Sequence, residues 1–189
     1  VVPAVRPADN PFASHRVDSL RFRFHTAGWN TVLEELVRTG GRGAVVGPHG
    51  SGKTTLLEQL ASRIDGAPVS IRLDADTANP VRAALAGLPS TVAPGHAILV
   101  DGAEQLGPLG WWRFYSRARG AGTLVIASHR TGRLPTLYEC STDPQLLADL
   151  VRALSPETVD TVDLDELFHC HRGNIRLCFR ELYDRWAGR

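Results

Sequence analysis

One lysine stands among 21 basic residues, and it stands in the segment whose spacing suits phosphate. Gly47-Pro48-His49-Gly50-Ser51-Gly52-Lys53-Thr54 fits G-x-x-x-x-G-K-[ST] at every fixed position. Glycines let such a loop curl until successive N–H groups converge on phosphate oxygens, and a following helix adds the positive end of its dipole. On that reading Lys53 reaches the β- and γ-phosphates and Thr54 gives its hydroxyl to Mg²⁺. Gly47, Pro48, His49, Gly50, Ser51, Gly52 and Thr55 line the phosphates. The other 20 basic residues are all arginine. That bias reflects genomic base composition, but the lone ammonium asks for a chemical reason. A glycine-rich turn with an accidental lysine is the plain alternative. The flanks oppose it, with Ala44-Val45-Val46 before the loop and an amphipathic run after it.

A second group of residues follows an apolar strand, Ile98-Leu99-Val100-Asp101-Gly102-Ala103-Glu104. An aspartate ending such a strand lies at the carboxyl edge of a parallel sheet, where ligands of open α/β sheets sit. Asp101 is expected to hold Mg²⁺ through water, and Glu104 to orient and deprotonate an attacking water. A strand-end turn is the alternative for Asp101, and a surface carboxylate the alternative for Glu104. Leu124-Val125-Ile126-Ala127-Ser128-His129-Arg130 is a further buried strand with a polar end. It puts Ser128 or His129 near the γ-phosphate, against a reading as ordinary loop chemistry. In Gly173-Asn174-Ile175-Arg176 a sharp helix start carries Arg176 in its first turn. Arg176 leans toward the phosphates or is simply solvated.

Positioning these residues takes alternating strands and helices. Helical spacing covers Trp29 to Arg38, Lys53 to Ile64, Pro80 to Ala86 and Leu109 to Arg119. Strands are expected at Gly43 to Gly47, Val69 to Leu73, Ala97 to Val100, Leu124 to Ala127 and Leu137 to Cys140. Such alternation implies a parallel sheet. After Thr142-Asp143-Pro144 only helical patterns remain, at Pro144–Leu154, Leu164–Cys170 and Asn174–Trp186. The chain thus divides into three parts: an irregular N-terminal arm (1–28, with Pro3, Pro7, Asn10 and Pro11), an α/β core (29–143) and a helical appendage (144–189).

Phosphate loop, Asp-x-x-Glu after an apolar strand, polar strand end and Gly-Asn-Ile-Arg occur here in one order. From about Arg38 to Trp186 the chain thus resembles the ATPases of the AAA+ class. The resemblance implies the P-loop NTPase three-layer sandwich, with a five-stranded parallel sheet in the order 5-1-4-3-2 and a small C-terminal helical lid. It implies ATP and Mg²⁺ at the sheet's carboxyl edge, with Arg176 as the lid's sensor arginine. Asp101-Gly102-Ala103-Glu104 is closer to the Asp-Gly-x-Asp of STAND signalling ATPases than to Asp-Glu. Family members commonly hydrolyse ATP across subunit interfaces with an arginine finger, for which Arg117, Arg119, Arg130 and Arg133 compete. The expected activity is Mg²⁺-dependent ATP hydrolysis by a nucleotide switch or motor in a larger assembly. A nucleotide-holding module without turnover and a small-molecule kinase are the alternatives.

Composition narrows the remaining classes. At 189 residues, 43% hydrophobic and 22% charged, the chain suits one domain with a small appendage, and neither disorder nor a fibre fits. No apolar stretch nears the ~20 residues of a membrane span. A net charge of +1 gives no general reason for nucleic acid as partner; a second copy or a protein partner is compatible. Cys140, Cys170 and Cys178 make no disulfide framework, and no secretory segment opens the chain, so a cytoplasmic protein is expected. A Val-Val-Pro start without any methionine suggests a processed or excised fragment. His169, Cys170, His171 and Cys178 have zinc-ligand types, but on a helix the two histidines point about 200° apart. Trp111, Trp112, Phe114 and Tyr115 are better explained by packing than by base stacking.

Overall fold

Ala44-Val45-Val46 puts three aliphatic side chains in a row, so both faces of its strand must be covered. In the computed structural model of the chain, which describes residues 9–188, these residues lie in β1 (Arg42–Val46) and are buried. The other strands are β2 (Ala67–Arg72), β3 (His96–Asp101), β4 (Thr123–Ser128) and β5 (Thr136–Glu139). They form one five-stranded sheet in the order β2-β3-β4-β1-β5, parallel throughout. Read from the other edge, this is the order that the resemblance implies. The three most apolar strands occupy the middle, and β2, mostly exposed, is an edge. Register pairs Val46 with Ser128 and Arg72 with Asp101. The carboxyl ends of four strands therefore level off together, and the segments leaving those strands emerge at one edge.

The described chain divides into two compact units. One comprises 24–47 and 52–140 and contains the sheet with α2 (Trp29–Arg38), α3 (Lys53–Ala61), α4 (Pro80–Ala86) and α5 (Pro108–Ala118). Its core centres on Ile98, Val100, Leu106, Phe114, Leu124 and Ile126, all essentially without exposure. Each such side chain is worth about 1.5–3 kcal/mol over the exposed state. Trp111 packs on this core, with its ring 6.0 Å from that of Phe114 and 5.7 Å from that of Tyr115, whereas Trp112 remains 64% exposed. Asn79 caps α4 by accepting from the Arg82 N–H at 2.9 Å.

The second unit comprises 48–51 and 141–188 together with the described part of the N-terminal segment, 9–23. It holds α1 (Ser14–Val17), α6 (Pro144–Leu154), α7 (Pro156–Val159), α8 (Leu164–Cys170) and α9 (Ile175–Ala187). Asp143, Asp163 and Asn174 cap α6, α8 and α9 with side-chain oxygens, the function that Asp and Asn serve at helix starts. Phe12 is 4% exposed and packs with Leu147, Val151 and Phe179, and Asn10 donates to the Tyr183 carbonyl at 2.9 Å. The described residues 9–23 of the irregular segment are thus part of the helical unit. Pro3 and Pro7 lie outside the described residues. Among the described residues, no helix is long and apolar enough to cross a membrane.

Gly102 links the sheet to the turn that carries Glu104. It sits at φ 78°, and a Cβ there would lie 1.9 Å from the Leu73 carbonyl oxygen. Gly102→Ala combines a left-handed conformation with a backbone collision. The expected loss is about 2–4 kcal/mol, read as a lower urea midpoint at unchanged slope.

Candidate functional site

The carboxyl edge of the first unit gathers the chemistry-bearing side chains. Chain leaving β1 enters Gly47, whose N–H donates to the Ser128 carbonyl at 3.3 Å and fastens β1 to the end of β4. α3 starts at Gly52 without any side-chain cap, unlike α4, α6, α8 and α9. A helix start of that kind offers first-turn N–H groups to an anion. Lys53, its first residue, is only 8% exposed. Its Nζ donates to the Gly47 carbonyl at 2.8 Å and lies 3.3 Å from His129 Nδ1. One turn position on, Thr54 Oγ1 donates to Asp101 Oδ2 at 2.7 Å. Thr55 is half-buried in the same turn.

Glu104 lies on a short 3₁₀ turn, Ala103–Gln105, directly after β3. Its Oε1 is 3.1 Å from His129 Nε2. Its Oε2 is buried and, among the described residues, has no hydrogen-bond partner. Arg133 holds this turn in place, donating to the carbonyls of Ala103 and Leu106 with its guanidinium 5.1 Å from the Trp111 ring centre. Burial holds the Arg133 pKa below its ordinary value, against the opposing charge of Glu104. A guanidinium fork engaged in this way braces its own chain. Arg117, Arg119 and Arg130 are exposed.

Ser128 and His129 take different tasks. Ser128 is 2% exposed, and its Oγ accepts the Arg130 N–H at 3.2 Å, a local turn contact. It is His129 that lies against Lys53 and Glu104. Asp101 has a further neighbour in Arg72, whose Nε is 3.7 Å from Oδ2 and whose Nη2 donates to Glu58 Oε1 at 2.8 Å. Sequence alone does not single out Arg72, because strand pairing, which sets it beside Asp101, is not visible along the chain.

The remaining loop residues belong to the helical unit. Ser51, 5% exposed, donates to the Pro48 carbonyl at 2.9 Å. Pro48 and His49 are exposed. Gly50 (φ 74°) approaches Asn174 so closely that a Cβ would lie 2.0 Å from the Asn174 Oδ1. Only glycine fits there, and the asparagine it meets is the cap of α9. Arg176, in the first turn of α9, is exposed.

No protein-family model matches this chain and no curated protein sequence matches it. The Thr54 hydroxyl and the Asp101 carboxylate are hard oxygen donors, the kind Mg²⁺ takes alongside phosphate oxygens and water. Among the described residues, no group of three or more His, Cys, Asp or Glu could enclose a metal by itself. A magnesium shared with phosphate needs no such enclosure. The zinc-type residues are turned elsewhere. His169 Nδ1 meets the Asp165 carbonyl at 2.8 Å, His171 Nε2 meets Glu181 Oε2 at 2.6 Å, and burial pushes the Cys178 thiol up to about 11.

Proposed function

We propose that this protein is an AAA+-like P-loop ATPase, a three-layer α/β core that binds Mg²⁺–ATP and hydrolyses it slowly as a nucleotide switch or motor part of a larger assembly. The observation that carries the reading is the 2.7 Å hydrogen bond from Thr54 to Asp101. Two oxygen donors 47 residues apart in sequence meet beside a buried lysine at the start of an uncapped helix. Each has a bland explanation alone. Together they form the donor pair that a phosphate-bound Mg²⁺ requires.

In this reading Thr54 and Asp101 hold Mg²⁺, which when bound neutralises charge on the phosphates. Lys53 turns its ammonium from the Gly47 carbonyl to the β- and γ-phosphates. Glu104 takes the proton of the attacking water, and the first-turn N–H groups of α3 stabilise charge as it develops. Holding nucleotide without turnover is the second reading. A specific contact favours it: Glu104 has one oxygen occupied by His129 and the other buried.

Asp101→Asn tests the metal assignment. With Mg²⁺ present its ATP affinity is expected to fall about tenfold or more, as losing a charged contact of 1.5–3 kcal/mol requires. In excess EDTA it should bind as the parent does. Equal Mg²⁺ enhancement in both proteins would remove Asp101 from the metal site.

A further inference from the structure

We propose that the groove between α4 and α5 is a docking site for an acidic amphipathic segment of a partner protein. Val81, Leu85, Leu109 and Gly110 give the groove an apolar lining, and Arg82 and Arg113 line it as well. Gly110 keeps the two helices close, since a Cβ there would lie 2.6 Å from Val81 Cγ2. A volume of about 660 Å³ would suit a small molecule, but the groove is open to solvent rather than enclosed. No residue assigned to phosphate, metal or catalysis lines it, so the proposal does not rest on the nucleotide reading.

Among the described residues, the large apolar side chains left exposed are Val37, Leu109, Trp112 and Leu177. Val37 and Leu177 stand singly, on α2 and α9. Leu109 and Trp112 are three residues apart on α5 and share a face, 66% and 64% exposed. Trp111 takes the packing role against Phe114 and Tyr115, and Trp112 has no place in that core. A solitary exposed apolar residue is ordinary, but a leucine and a tryptophan beside an apolar groove make a continuous surface. Tryptophan and arginine are also the side chains that most often anchor protein interfaces.

The charges set the chemistry of the occupant. α4 carries Arg82, α5 carries Arg113 and Arg117, and neither helix has a carboxylate. All three arginines are exposed, and among the described residues none has an ion-pair partner. A partner covering the apolar row strips water from these guanidiniums, a loss that carboxylates placed at their forks offset. Nucleic-acid phosphates would meet the arginines equally well but leave Val81, Leu85 and Leu109 without apolar contact. A second copy offers Val37 or Leu177 singly, one point of contact for the whole row. An amphipathic helix supplies both parts, with apolar residues at i, i+3 and i+4 and carboxylates on its flanks. The 11 residues of α5 give it about 16 Å of surface, three helical turns.

The test uses a fluorescein-labelled peptide with two repeats of Leu-Glu-Glu-Leu-Leu-Glu-Glu, and a counterpart with lysine for every glutamate. Each is titrated with the whole protein, free of nucleotide, and read by fluorescence anisotropy. Saturable binding of the acidic peptide below ~100 µM is expected, and none of the lysine peptide. Affinity should fall at least about tenfold in Trp112→Ala, and as much in Arg82→Glu combined with Arg113→Glu. Leu177→Ser, at an exposed apolar position on α9, should bind as the parent does. These positions are exposed, so the fold should persist in circular dichroism, and either groove variant suffices if the other does not fold. Failure of the acidic peptide to bind, equal binding by all the variants, or equal binding of the lysine peptide would overturn the proposal. Tighter binding of an oligothymidylate, lost in Trp112→Ala, would overturn it in favour of nucleic acid. Self-association of the parent, lost in the same variant, would overturn it in favour of a second copy.

Discussion

Lys53→Ala is expected to weaken Mg²⁺–ATP binding by at least ~10–100-fold, because a charged hydrogen bond to phosphate is worth about 1.5–3 kcal/mol and Lys53 is proposed to reach two phosphates. The fold should survive. The lysine is 8% exposed and donates to the Gly47 carbonyl, and its removal relieves a buried charge as well as deleting a contact. Lys53→Arg should fail as well. In the proposed reading the phosphates take a compact point charge on a flexible stem, and a planar fork cannot converge on the same oxygens. The chain makes this comparison informative, since it uses arginine at each of its 20 other basic positions. Titration calorimetry of the three proteins decides it. Parent-like affinity in either variant would mean that residues 47–54 are only a turn.

Glu104→Gln carries the second large effect. Binding should persist, because Glu104 lies on the 3₁₀ turn after β3 and is assigned neither a phosphate contact nor the metal. Phosphate release should fall by about 10²–10⁴, the usual loss when a general base is removed. The amide can pair with His129 Nε2 whether that nitrogen is protonated or bare, so the turn should keep its shape, and the loss can be charged to chemistry. Unchanged release would transfer the role to His129, or to a water positioned by backbone groups.

The same residues show how much could be read along the chain. Trp29–Arg38 starts after one glycine and stops before two more, and α2 has those bounds because propensity, amphipathic spacing and stop signals agree there. β1, β3 and β4 are apolar on both faces, which only a covered parallel strand tolerates, and that pattern is local. The four-residue α1 and α7 escape such a reading because one turn shows no period. Phe12 escapes it because its partners on α6, α8 and α9 lie more than a hundred residues away.

For the site, residue types and spacing single out Lys53, Thr54, Asp101 and Glu104. Which of them touch is not legible in the sequence. Ser128 and His129 are adjacent, and a strand end sends neighbours to opposite sides. Only the packing of β4 between β1 and β3 turns His129 toward Lys53 and leaves Ser128 in a local turn. Arg133 and Arg72 are indistinguishable from the other arginines until the carbonyls and the carboxylate beside them are placed.

Every role proposed for Lys53, Thr54 and Asp101 requires that the edge they build hold a nucleoside triphosphate with its metal. Titrating the unmodified protein with Mg²⁺–ATP in a calorimeter, and quantifying the products afterwards, measures this without any substitution. Saturable binding of one nucleotide per chain is expected, weakened by EDTA, with ADP and inorganic phosphate as the only slow products. Absence of saturable binding up to millimolar Mg²⁺–ATP would rule out a nucleotide site at this edge.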